Sequence, residues 1–381
     1  MISGRHGLVA IVSVLTLACS GSYYFYSSPE VYVDKNDVLV LPIGPYLVPA
    51  KPGELLVGAQ LPDGTKGVVE AWPEGQPQTV VRVPLAEAWD RISYARLTGL
   101  EPGQRYQYRI QVGEALTATH TVLPTAKEDQ PFTFLIAGDS KLGCRQAHCK
   151  VVKEMEKHPA ELYIHLGDLV RTGDNVSDWG EFFLIQEELL ARMPLAPVLG
   201  NHDRSLAGFF EKVFLLPQLT GGTERYFAFR YGNSLFAVLD MSDTINEGDS
   251  QYRIIESALK SAGEEGVMHI FVALHSPLYS SGKHGADPGH RKVLLPLFEK
   301  YGVTACFSGH DHHYERSHPQ NGVVHVVSGG AGAKLTPVDQ QAHAAKVLID
   351  FHFLKVTVNG PQVVLQAISP SGQVLDEARL K

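Results

Sequence analysis

Residues 132–139 read FTFLIAGD, and the rest of the chain can be read outward from them. Phe132 to Ala137 form an unbroken apolar run, as expected of a strand buried on both faces. Gly138 then lets the backbone turn sharply and Asp139 follows as a carboxylate. The pattern of strand, tight turn and polar residue returns four times. YIHLGD ends at Asp168, and APVLGNHD carries Asn201, His202 and Asp203. FVALH ends at His275, and TACFSGHDHH carries His310, Asp311, His312 and His313. In open α/β sheets, loops at the carboxyl ends of several strands meet in one crevice, so these distant residues are expected to converge.

Helical periodicity is read at 145–157, 178–192, 251–261 and 290–300. Further strands are read at 162–166, 197–199, 235–239, 270–274 and 304–307. This alternation predicts an α/β domain over 131–381, with more strand at 323–327, 347–358 and 361–367. The polar segment 124–131, PTAKEDQP, reads as a linker. Before it, 31–125 has short apolar runs broken by Pro/Gly turns such as Pro62-Asp63-Gly64, the spacing of a β-sandwich. ARLTGLEPGQRYQYRI at 95–110 has the layout of a tyrosine corner, in which the Tyr106 hydroxyl bonds backbone upstream. It resembles a fibronectin type III module.

The 381 residues carry 33 basic and 41 acidic side chains, a net charge of −8, with no Lys/Arg block. Nucleic acid is therefore not an expected partner, whereas a small anionic substrate at a metal site is compatible. Residues 1–26 combine Arg5 with an apolar run from Leu8 to Ala18 and the small residues Ala18 to Ser22. They read as a signal peptide, a lipoprotein signal with Cys19, or a membrane anchor, and each implies export and leaves room for tethering at a membrane. Bacterial periplasm, membrane surface and extracellular space all fit. No protein partner is implied. Cys144 and Cys149 are close enough for a small-loop disulfide, and Cys306, in an apolar run, reads as a buried thiol.

Asp139, Asp168, Asn201, His275, His310 and His312 together offer two carboxylates, an amide and three imidazoles. That set suits two metal ions sharing a carboxylate, and its lack of thiolates points to Fe, Zn or Mn. Paired metals clamp the attacking and leaving oxygens of an in-line displacement, which suits phosphoester hydrolysis.

The order GD, GD, GNHD, H, GHxH resembles the calcineurin-like metallophosphoesterase superfamily. GHDHHYERS, behind a fibronectin-like domain, resembles its purple acid phosphatase branch. The resemblance implies a four-layer α/β/β/α catalytic domain. It implies a first metal on Asp139 and His312, a second on Asn201, His275 and His310, and Asp168 bridging them. It places His202 at the phosphoryl or leaving-group oxygen, with Asp203 or Asp174 to orient it. Two positions depart from the pattern. Lys141 stands where a His or Gly is usual, and Arg171 stands where purple members carry an iron-ligating Tyr. Both could bind phosphate, and no purple Fe(III)–tyrosinate centre is expected. His148 is the candidate for a missing ligand, with packing on its helix the favoured alternative. His313 is read at the substrate-facing rim, Tyr314 and Arg316 as packing or substrate residues, and His165 as a core residue. His284 and His290 are read as exposed or lining the pocket, and 328–332, SGGAG, as a structural turn. The expected activity is a phosphomonoesterase of acid phosphatase type. The alternatives are a phosphodiesterase, cyclic nucleotides included, or a binding or adhesion protein that keeps the fold.

Overall fold

A computed structural model describes residues 32–33, 38–141, 145–216 and 222–381. The leader at 1–26 and Cys144, and with them the export signal and the Cys144–Cys149 pairing, lie outside the described residues. Among the described residues, no helix is long and apolar enough to cross a membrane.

Between residues 43 and 122 lie two antiparallel sheets. One is four-stranded, ordered Ile43–Val48, Glu54–Gln60, Ile92–Thr98, Ala86–Trp89. The other is five-stranded and centres on Tyr106–Val112 and Gly67–Pro73. Leu47, Leu55, Val57 and Ala59 of the first share one core with Val69, Ala71, Tyr108 and Ile110 of the second, so the sheets face each other. Strand Tyr106–Val112 alternates strictly between buried and half-buried positions, as a strand with one face on a core must. The Tyr106 hydroxyl accepts from the Glu101 backbone N–H at 2.9 Å, the upstream bond expected of a tyrosine corner.

The following part holds two mixed sheets. The six-stranded one runs Leu195–Pro197, Leu162–His165, Phe132–Ala137, Phe353–Asn359, Gln362–Ile368, Val374–Arg379. The seven-stranded one runs Phe227–Tyr231, Ser234–Val238, His269–Leu274, Ala305–Ser308, Val324–Ser328, Tyr314–Ser317, Ala344–Leu348. An aromatic seam joins them, with Phe134 5.1 Å from both Phe236 and Phe271. Residues of opposite parity, Leu235, Ala237, Ile270 and Val272, pack instead with Ile255, Leu259, Leu294 and Phe298 of helices Ser250–Glu264 and Pro288–Lys300. On the other sheet, His165 meets Phe182 of helix Val176–Ile185. Tyrosines tie the two parts of the chain together: Tyr46 donates to the Val213 carbonyl at 2.7 Å, and Tyr231 donates to the Leu123 carbonyl at 2.8 Å.

Several expectations need correction. The strand read at 197–199 is Leu195–Pro197, and the helix read at 178–192 is Val176–Ile185 followed by a separate short helix, Glu187–Leu190. Asn175 starts the former by accepting from the Ser177 N–H, as N-cap side chains do. The run read as one strand at 347–358 divides between sheets, ending as Ala344–Leu348 in one and resuming as Phe353–Asn359 in the other. The break is at Asp350 to His352, where the His352 N–H reaches the Gly330 carbonyl at 3.1 Å.

Candidate metal centre

The parallel strands Phe132–Ala137, Leu162–His165, His269–Leu274 and Ala305–Ser308 all end at the same edge of the paired sheets. Asp139, Asp168 and His310 follow three of them with φ of 60°, 54° and 69°. Left-handed backbone is costly for residues with a Cβ and concentrates at functional sites. Here it folds each side chain back into the crevice. Close approach accounts for the glycine between strand Leu195–Pro197 and Asn201: a Cβ on Gly200 would lie 2.1 Å from the Asp168 nitrogen and 2.4 Å from its Oδ1.

Asp139, Asp168 and His275 are buried, His310 and His312 half-buried, and Asn201 exposed. The His275 Nδ1–H donates to the Leu166 carbonyl at 2.8 Å, which leaves Nε2 as the atom facing the crevice. That nitrogen lies 3.1 Å from Asn201 Oδ1, 3.2 Å from His310 Nδ1 and 3.4 Å from Asp168 Oδ1. Ligands at right angles around an ion with bonds of about 2.1 Å lie about 3.0 Å apart, so these spacings fit the edges of a coordination polyhedron. The ligand atoms of Asp168, His275 and His310 lie within 4.8 Å of one another. The electrostatics agree. Burial lowers the basicity of His275, but the Asp168 charge and then that of Asp139 outweigh it and raise the imidazole to about 9. The crevice thus favours a cation at this nitrogen. Burial and the charge of His275 lower His310 to about 4, which keeps it neutral and able to ligate. Burial raises the Asp168 carboxyl, yet His275 and Lys141 hold it below the ordinary carboxylate range.

Asp139 and His312 stand beside this set. Asp139 Oδ2 accepts the His310 N–H at 2.8 Å. The His312 Nδ1–H donates to the Lys334 carbonyl at 2.8 Å, and its Nε2 lies 3.4 Å from Asp139 Oδ1. Both of these last atoms are buried without a hydrogen-bond partner. Lys141, expected as a phosphate-binding cation, turns inward instead: its Nζ pairs with Asp168 Oδ2 and lies 4.0 Å from Asp139 Oδ1. Arg171 is exposed, and its carbonyl accepts from His202 Nδ1–H at 2.8 Å.

That bond corrects the expected partner of His202. Asp203 is buried and accepts the Val170 and Gly200 N–H groups at 3.0 and 2.9 Å, bracing the loops that carry Asp168 and Asn201. Asp174 takes the Ser205 hydroxyl. Neither reaches the His202 ring, but its backbone N–H donates to Asp168 Oδ1 at 2.8 Å. His313 is not at the rim: it is buried and 3.1 Å from Glu315 Oε2. Tyr314 and Arg316 both bind Asp376. His148 is buried and donates to the Ala331 carbonyl at 2.7 Å, and His165 is buried against the Ser140 hydroxyl at 2.9 Å. His290 is held by Asp287 at 2.6 Å, whereas exposed His284 lays its ring 4.4 Å from that of His310.

Sequence reasoning missed Asp311, which is fully buried and organises the 280–285 loop through the Ser280 hydroxyl at 2.6 Å and the His284 N–H at 2.9 Å. Its place inside GHDHH was the available signal. It also missed the carbonyls of Leu166, Arg171 and Lys334, which no side-chain pattern announces.

The calcineurin-like phosphoesterase family profile matches residues 119–314, more than half of the chain, and the protein belongs to that family. It is 27% identical to "Probable inactive purple acid phosphatase 24" of Arabidopsis thaliana over 60% of this chain and 44% of that one. It is 25% identical to "Nucleotide pyrophosphatase/phosphodiesterase" of Hordeum vulgare over 49% of this chain and 61% of that one. The chain spans about half the length of the curated relatives it matches. The solved purple acid phosphatase PPD1 from yellow lupin shares the fold, with a TM-score of 0.79 at 21% identity over 89% of this chain and 75% of that one.

Proposed function

We propose that the protein is a metal-dependent phosphoester hydrolase, acting on phosphomonoesters as an acid phosphatase does. The main support is the convergence of Asp168, Asn201, His275 and His310 from separate strand ends, with His275 Nε2 lying 3.1–3.4 Å from an acceptor of each of the others. These residues would hold Zn, Mn or Fe, and such an ion supplies Lewis acidity toward a phosphoryl oxygen. The chain's own groups do the rest. Arg171 fixes the His202 tautomer through Nδ1, so Nε2 is the atom left to bond a phosphoryl oxygen or protonate the leaving oxygen. The exposed Arg171 guanidinium is available to the phosphate.

Phosphodiester cleavage is the second reading, motivated by the similarity to the nucleotide pyrophosphatase/phosphodiesterase of Hordeum vulgare. The similarity to an Arabidopsis thaliana relative named as an inactive purple acid phosphatase motivates the third, a binding protein that keeps the fold. The paired sheets at 43–122 are read as fibronectin III-like, in keeping with the Tyr106–Glu101 bond. Export is proposed from the apolar run at 8–18. A panel of monoesters and diesters assayed with Mn, Fe or Zn tests the function. Monoester turnover that chelation abolishes is the expected result. Faster diester turnover would move the assignment to the second reading, and no turnover of either class with any of the metals would refute hydrolysis.

A further inference from the structure

Among the described residues of the site, Lys141 is the one whose position neither catalysis nor ligation explains. Its backbone N–H donates to the Asp168 carbonyl at 3.0 Å, which fixes where its side chain starts. The side chain then runs inward until only 13% of it is exposed, between two carboxylates with no exposure at all. Asp168 is divided by this arrangement. Oδ1 serves the His202 N–H and lies nearest His275 Nε2, while Oδ2 is taken by the lysine. A carboxylate that bridges through both oxygens would spend this second one on a second ion.

Two more observations point the same way. Among the described residues, the compact ligand set is Asp168, His275 and His310; Asp139 and His312 form no comparable set with Asp168. Charge sets the other limit. With one divalent ion, two carboxylates and an ammonium leave a single positive charge in a buried crevice. A second divalent ion would leave three, and it would sit against a group that has donors but no lone pair to offer.

Building on the metal site proposed above, we infer that the Lys141 ammonium takes the place of the first metal ion, so that this chain holds one ion beside a fixed cation of its own. The ammonium neutralises Asp168 Oδ2 and Asp139 as an ion would, but it supplies no Lewis acidity and no redox chemistry. Metal dependence then follows a single-site isotherm.

The test is metal content of the full chain, by mass spectrometry after equilibration with Mn(II) or Zn(II) and desalting, with folding checked by circular dichroism. The wild type is expected to hold about one ion per chain, K141G about two, and K141R, which keeps the charge, about one. K141N, short and neutral, gives the same reading if K141G does not fold. About two ions in the wild type, or no gain in a folded K141G or K141N, overturns the substitution and leaves the metal site standing. No ion in the wild type removes the metal site itself and this inference with it.

Discussion

Three buried histidines outside the ligand set limit how acidic a medium this fold tolerates. Burial lowers His325 to about 3, with His343 and Arg291 adding repulsion. Burial likewise lowers His148 and His352 to about 4, against the bonds they donate to the Ala331 and Asp350 carbonyls. Each has an ordinary value of 6.5 when unfolded. Because the folded values lie below the unfolded one, the unfolded chain binds more protons throughout that window. The stability each contributes is therefore complete above the unfolded value and is lost as pH falls toward the folded one. At about pH 5 the loss is roughly 2 kcal/mol per histidine, or about 6 kcal/mol for three. That is comparable with the whole stability of an ordinary domain, about 5–15 kcal/mol. The clean perturbation is His325→Phe, since the ring packs at a tilt against Tyr279, centroids 4.8 Å apart, and its Nε2 has no hydrogen-bond partner to lose. Urea unfolding of both proteins at about pH 7.5 and about pH 5 gives a difference of differences in which the titrating groups that do not interact with His325 cancel. H325F is expected to lose roughly 2 kcal/mol less than the wild type on acidification. Equal losses in the two proteins would refute the reasoning.

Three further outcomes follow from the geometry. His202→Ala is expected to lower kcat roughly 100-fold while leaving metal content unchanged, so loss of the ion would make the residue structural. His275→Ala removes the nitrogen at the centre of the ligand set, and the thermal stabilisation that added Mn(II) or Zn(II) gives the wild type should vanish; a retained shift would place the ion elsewhere. Tyr106→Phe deletes the acceptor of the Glu101 N–H and should cost roughly 1 kcal/mol in unfolding free energy, a value within error of zero marking the bond as incidental.

The parts of the fold that were legible are those where one face meets apolar neighbours. Strands Phe132–Ala137 and His269–Leu274 are buried along nearly their whole length, so their composition announces them. Tyr314–Ser317 was not legible, because its polar residues are buried and satisfied by partners far along the chain. Glu315, for example, is held by His343 at 2.7 Å and the Ser281 N–H at 2.7 Å. A strand whose interior is a salt-linked network has the composition of a loop. The run at 347–358 failed for the opposite reason: both halves are apolar, and the sheet change between them is set by the backbone bond from His352 to Gly330.

At the site, residue types were readable and roles only partly so. The motifs named the groups that meet around His275 because metal ligation uses a short list of side chains, each placed at a strand end. What orients them is backbone: Leu166 for His275, Arg171 for His202, Lys334 for His312. Any residue can offer a carbonyl, so sequence carries no trace of these partners, and neither Asp203 nor Asp174, the carboxylates considered for His202, is its partner. Lys141 shows the same limit from the other side. Its identity was plain and its direction was not. A lysine beside a phosphate site reads as a substrate contact, until the turn that bonds its N–H to the Asp168 carbonyl sends the ammonium toward the carboxylates. Outward it would attract substrate; inward it competes with a metal ion. If Lys141 takes the place of an ion, as we infer, the number of ions bound depends on a backbone turn at residues 139–141 more than on the inventory of ligands.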